Sequence, residues 1–232
     1  MTMHDPFIQS LEDDGALIDA ALAATPLSVA VPTCPGWTVQ QLVEHLGSLH
    51  IWVAQLVENR IQVATRPTQS VVETDSLGTW YRSTNRRLRT VLSETPPDTQ
   101  VWTVTGDHIA GSWRRRQAHE TAIHRFDLEY ALGRAPDIDE ILAESFVDEL
   151  GCLIPFLHKF RGLMIPDEDL VMSSSDASWT LEAGKGTIRN GPPLPSADIE
   201  GTASSILLAL WDRPHDAEIN RPALLSRWQL AK

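Results

Sequence analysis

Residues 38–56 define one element almost completely. Thr38 and Gln41 stand at the spacing of a capping box, and behind them Leu42, Leu46, Leu49, Val53 and Leu56 recur every three or four residues. That is the period of a helix with one apolar face, and it commits the chain to packing helix on helix. The same period runs from about Pro6 to Ala24 (Leu11, Leu17, Ile18, Leu22), from Leu77 to Leu92 and from Ser112 to Leu132. A fifth helix is predicted to open at Asp137, with Glu140 as its box partner, and to run toward Phe160. Five helices with short connections predict a mostly α chain built on an up-and-down bundle with one extra element.

After Arg161 the pattern changes. Leu170-Val-Met, Ser178-Trp-Thr-Leu-Glu and Thr187-Ile-Arg are short alternating runs separated by Ser, Asp and Gly, which predicts a short antiparallel sheet. Helices from about Thr202 to Trp211 and from Pro222 to Gln229 complete a small α+β unit. The expected division is a bundle over 1–162 and an α+β domain over 168–232.

A length of 232 residues supports a sizeable core. The net charge of −12, from 31 acidic against 19 basic residues, opposes binding to a nucleic-acid backbone or an anionic membrane surface. A small molecule or another protein is the expected partner. The start of the sequence lacks the basic and apolar pattern of a secretory signal, and no stretch approaches the roughly 20 apolar residues of a membrane span, so the expected location is cytoplasmic. Cys34 and Cys152, far apart and without CxxC spacing, are expected to be free thiols. No GxGxxG, P-loop or GxSxG sequence offers a nucleotide site or a serine nucleophile.

Three polar residues interrupt the apolar stripes. Glu120 and His124 are four apart, only about 40° around a helix axis, and share their stripe with Trp113, Leu128 and Ala131. His45 lies in the stripe of Leu42, Leu49 and Trp52. Two helices of a bundle therefore can deliver nitrogen, oxygen and nitrogen ligands to one point, and three protein ligands leave a coordination position open, the pattern of a catalytic zinc. Asp127 returns to the same face and is the expected acceptor behind a ligand histidine. Plainer readings stay open: Glu120 pairs with Arg116 one turn earlier, and each histidine is an ordinary helix residue. The zinc-protease signature H-E-x-x-H is not met, because His124 comes one residue late, about 140° from His119. His50, five after His45, is expected to point elsewhere. Arg114-Arg-Arg116 reads as a solvated face or a set of ion pairs. Trp37 and Trp113 are candidates for pocket walls.

Cys34-Pro-Gly-Trp-Thr38, Leu42-Val-Glu-His45-Leu and Arg116-Gln-Ala-His-Glu-Thr-Ala-Ile-His-Arg-Phe-Asp127 together resemble the actinobacterial maleylpyruvate isomerase family of mycothiol-dependent enzymes, which belong with the DinB-like metal-binding four-helix bundles. The resemblance continues more loosely through Ala197-Asp-Ile-Glu-Gly201, Leu207-Leu-Ala-Leu-Trp-Asp-Arg213 and Leu224-Leu-Ser-Arg-Trp228. It implies Zn2+ or another divalent metal on His45, Glu120 and His124, mycothiol as cosubstrate, and an arginine from the C-terminal domain. Arg213 is the candidate, with Arg221 and Arg227 as alternatives. Where the family often has a Gly-Asp step before the last helix, this chain has Asn220-Arg221.

The implied activity is formation of a thiolate that attacks a small electrophile, either by S-transfer or by maleylpyruvate-type isomerisation, with transfer favoured because the isomerase is a narrow specialty of a broad family. The alternatives are a zinc hydrolase that activates water and a non-catalytic metal- or ligand-binding module. Partners are a small-molecule thiol and an electrophile, on a monomer or homodimer.

Overall fold

The computed structural model describes residues 5–63 and 67–230. Four helices form the first compact unit, Met1–Asp137: α1 (Pro6–Leu22), α2 (Val39–Glu58), α3 (Leu77–Glu94) and α4 (Ala110–Ala131). Their starts are set chemically. Asp5 caps α1 by accepting from the amides of Phe7 (3.0 Å) and Ile8 (3.3 Å), with Pro6 in the first turn where no amide is needed. The capping box of α2 is present, with the Thr38 amide donating to Gln41 Oε1 at 2.9 Å and the Gln41 amide to Thr38 Oγ1 at 3.4 Å. A single 3₁₀ turn, Thr74–Ser76, leads into α3.

The apolar stripes meet as their spacing requires: α2 packs on α3, α1 on α4 and α3, and α2 also against α4. One core cluster joins Leu11, Val53, Leu56, Leu88, Leu92 and Trp113; the other joins Ile18, Val39, Leu42, Leu46, Leu77, Tyr81 and Leu128. Trp113 belongs to the core, its indole nitrogen donating to the Trp102 carbonyl at 2.8 Å. Among the described residues no helix is long and apolar enough to cross a membrane.

The second unit, Ile138–Lys232, contains α5 (Glu140–Arg161), α6 (Ala203–Leu210), α7 (Pro222–Trp228) and a five-stranded sheet. Its strands are β1 (Leu170–Ser173), β2 (Ser178–Leu181), β3 (Ile188–Gly191), β4 (Ile199–Glu200) and β5 (Glu218–Ile219), in the order β3-β2-β1-β4-β5. The three strands predicted from alternation form the antiparallel part, β1 with β2 and β2 with β3. β4 and β5 were not predicted, being too short to alternate, and β4 joins β1 in parallel, which makes the sheet mixed.

The first unit ends at Asp137 and α5 falls in the second, where it packs on α6 and on β2 and β3. Gly151 permits that approach, since a Cβ there would lie 2.6 Å from Ile188 Cγ2, and Asp148 accepts from Trp179 Nε1 at 2.9 Å. The cap of α5 is Asp139, which accepts from the Leu142 amide at 3.1 Å, and not Asp137. Glu140 serves another helix: its carboxylate accepts from the Ala203 amide at 2.8 Å and the Ser204 amide at 3.3 Å, at the start of α6.

Candidate metal centre

The site is built by α2, α4 and the loop before α2. The capping box fixes where α2 begins and hence which way His45 points, two turns in. The loop runs back on itself: the Val31 amide donates to the Trp37 carbonyl at 2.9 Å and the Trp37 amide to the Cys34 carbonyl at 3.0 Å. Pro35 and Gly36 occupy the central positions of that tight turn, and Gly36 sits at φ 83°, a left-handed conformation that glycine takes without strain. The turn holds the Trp37 ring 4.9 Å from the His45 ring and 6.4 Å from that of His124.

His45, Glu120 and His124 converge, each offering a ligand atom within 4.8 Å of the others. Glu120 Oε1 lies 3.7 Å from His45 Nε2 and 3.4 Å from His124 Nε2, while the two imidazoles stand edge to face at 5.3 Å. The other carboxylate oxygen, Oε2, accepts from Arg116. Glu120 thus has one oxygen paired to the Arg116 cation and the other turned to the histidines.

Asp127, fully buried, accepts from His124 Nδ1 at 2.9 Å and from Cys34 Sγ at 3.3 Å. That contact places a proton on Nδ1 and turns Nε2 toward Glu120 and His45. Burial pushes the Glu120 carboxyl up, but Arg116 and the two imidazoles more than offset this and hold it well below the usual carboxylate range. Burial pulls His124 down, and Asp127, Cys34 and Glu120 together hold it well above the ordinary imidazole value. Two imidazoles and one carboxylate oxygen, with the ring nitrogen remote from them tied to a buried carboxylate, form a donor set that fits a divalent cation such as Zn2+.

The other candidates lie elsewhere. His50 is buried with Nε2 3.3 Å from Thr121 Oγ1 and its ring against Tyr81, and His119 meets Phe7 edge to face at 6.0 Å. Arg114 pairs with Asp5 at 2.7 Å and Arg116 with Glu120, so the first and last arginines of the basic run are engaged in ion pairs. In the second unit, Arg213 is buried in the segment after α6 and donates to the Trp211 carbonyl at 2.6 Å. Arg221 pairs with Glu168 and Arg227 with Asp167. Trp37, a candidate pocket wall, stands against both imidazoles; the role of Cys34 in the site was not read from the sequence, although it lies in the Cys34-Pro-Gly-Trp motif that carried the family resemblance.

The description "Mycothiol maleylpyruvate isomerase N-terminal domain" belongs to the family model that matches residues 9–129. Two solved structures have the same fold. A crystal structure of the mycothiol-dependent maleylpyruvate isomerase is 17% identical over 91% of this chain and 90% of its own, with a TM-score of 0.61. A histidine-to-alanine mutant of the mycothiol-dependent maleylpyruvate isomerase is 16% identical over 88% and 87%, with a TM-score of 0.60. No curated protein sequence matches the chain. The family match spans more than half of the sequence and contains His45, Glu120, His124 and Asp127, and the chain belongs to the mycothiol maleylpyruvate isomerase family.

Proposed function

We propose that this protein is a metal-dependent enzyme that uses a low-molecular-weight thiol of the mycothiol type to attack a small electrophile, by S-transfer or by maleylpyruvate-type isomerisation. Family membership supports a thiol-dependent enzyme, and the carrying observation is the convergence of His45, Glu120 and His124 with Asp127 behind the ring. A divalent cation, when bound by these three side chains, supplies a Lewis acid that lowers the pKa of a thiol so that thiolate exists at neutral pH.

The residues divide the remaining work. Arg116 holds Glu120 Oε2, which keeps the carboxylate ionised and aims Oε1 at the imidazoles. Asp127 holds the His124 ring by Nδ1, so that Nε2 is the nitrogen turned to the site. The half-buried Trp37 covers both rings with apolar surface, so water is kept from one side of the site. Proximity of thiolate and electrophile then sets the rate. With a cis-enone acid, addition, rotation about the former double bond and elimination return the trans isomer and the thiol. With a leaving group or an epoxide, the product keeps the sulfur. Arg213 is our candidate for holding a substrate carboxylate.

The test is elemental analysis and turnover together. The wild type is expected to hold about one metal ion per chain, and His45→Ala, Glu120→Ala and His124→Ala to lose it. Turnover is expected only when a thiol is added. Metal retained in full by all three variants rejects the site, and turnover without thiol replaces the proposal with a hydrolase.

A further inference from the structure

We infer that Cys34 is a positioning residue that fixes the ligand face of His124 by acting through Asp127; the inference rests on the metal site proposed above. The Asp127 oxygen that accepts from His124 Nδ1 is the same Oδ2 that accepts from Cys34 Sγ, at 2.9 and 3.3 Å. Asp127 lies three residues after His124 on the same helix, so its bond to the ring is local. Cys34 reaches the same oxygen from another element, 93 residues away in sequence. A thiol is a weak donor, but this one faces a fully buried carboxylate, where an aimed hydrogen bond counts for more than in water.

The turn that carries Cys34 is itself stiff. Pro35 restricts one central position, Gly36 takes φ 83° at the other, and the Trp37 amide closes the turn on the Cys34 carbonyl at 3.0 Å. Through this one turn the chain touches both imidazoles, His45 by the Trp37 ring at 4.9 Å and His124 by way of Asp127. Partners behind metal ligands set ring orientation, and their loss weakens metal binding about 10- to 100-fold. Cys34 is a weak thiol donor and belongs at the low end of that range.

Zn2+ affinity is to be measured by chelator competition for the wild type, Cys34→Ala, Cys34→Ser and His124→Ala. The visible absorption of the Co2+-loaded forms and the melting of the chelated proteins are recorded alongside. Cys34→Ala is expected to bind Zn2+ about tenfold more weakly and to shift the Co2+ bands. Cys34→Ser, which keeps a donor, is expected to lie within about threefold of the wild type, and all chelated forms to melt together. Unchanged affinity and bands in Cys34→Ala overturn the inference. So does a loss that serine does not recover and that comes with an equal loss of chelated-state stability, since that assigns Cys34 to packing alone. A wild type that binds no Zn2+ is a failure of the metal site itself, seen before any Cys34 variant is compared.

Discussion

At the scale of the residue, the centre is governed by which atoms of each side chain are already engaged. Glu120 gives one oxygen to Arg116 and keeps one, and His124 gives Nδ1 to Asp127 and keeps Nε2. His50, buried against Thr121 and Tyr81, shows what a histidine without a hydrogen-bonded carboxylate becomes. Burial pushes its pKa down to about 3 from an ordinary 6.5, so it stays neutral in the folded protein. A histidine depressed in this way favours the native state fully above its unfolded pKa, and that contribution is lost as pH falls toward the folded value. Between pH 7 and pH 5 it removes about 2 kcal/mol of stability. Urea unfolding of chelated wild type and His50→Gln should therefore show the wild type losing about 2 kcal/mol more over that interval; parallel losses would mean that His50 titrates freely. His45, Glu120 and His124 were legible because helical spacing fixes side-chain direction. Cys34 was not, because a turn with Pro35 and Gly36 sets its directions by backbone torsions that no periodicity encodes.

At the scale of the element, helix ends and ion pairs place the ligand-bearing faces. Thr38→Ala removes half of the capping box, and a cap of this kind is worth about 1 kcal/mol in denaturant unfolding; the loss should fall on α2 and so on the aim of His45. A loss of metal affinity without any loss of stability would contradict this view of the cap. Arg125 ties three segments together, donating to Asp14 Oδ1 of α1 at 3.0 Å, to Glu129 Oε2 at 2.9 Å and to the Asp137 carbonyl. Burial raises the Asp14 carboxyl against the pull of Arg125. Arg125→Ala strands that carboxylate and is expected to cost about 3–5 kcal/mol near neutral pH. A carboxyl whose folded pKa lies above its unfolded value costs stability as pH rises through the folded value. The variant should therefore lie closer to the wild type at pH 5 than at pH 8, and an equal deficit at both would show that Asp14 is not the stranded group. Helix existence was readable from spacing throughout. Caps were less so: Asp137, Asp139 and Glu140 are all plausible at the start of α5, and only tertiary packing commits Glu140 to α6 instead.

At the scale of the whole molecule, the sequence showed that α5 has an apolar stripe but not which surface would cover it. Leu142, Phe146 and Leu150 would fit a bundle equally well, and what decides is the space over Gly151 and the acceptor that Asp148 offers to Trp179. The consequence is that the four helices before Ile138 form a unit by themselves, with every member of both core clusters between Ile8 and Leu132. All three candidate ligands, Arg116, Asp127, Cys34 and Trp37 fall inside the same span. A unit that owns its core and the proposed donor set is expected to bind metal without the sheet, whereas any contribution of Arg213 needs the second unit. Residues 1–137 expressed alone should thus give a helical, cooperatively melting protein that takes up about one Zn2+ per chain and melts higher with the metal than without. Turnover with thiol and a carboxylate-bearing electrophile should be lost or greatly reduced in the fragment. A fragment that folds but binds no metal would show that the donor set is completed from beyond Asp137.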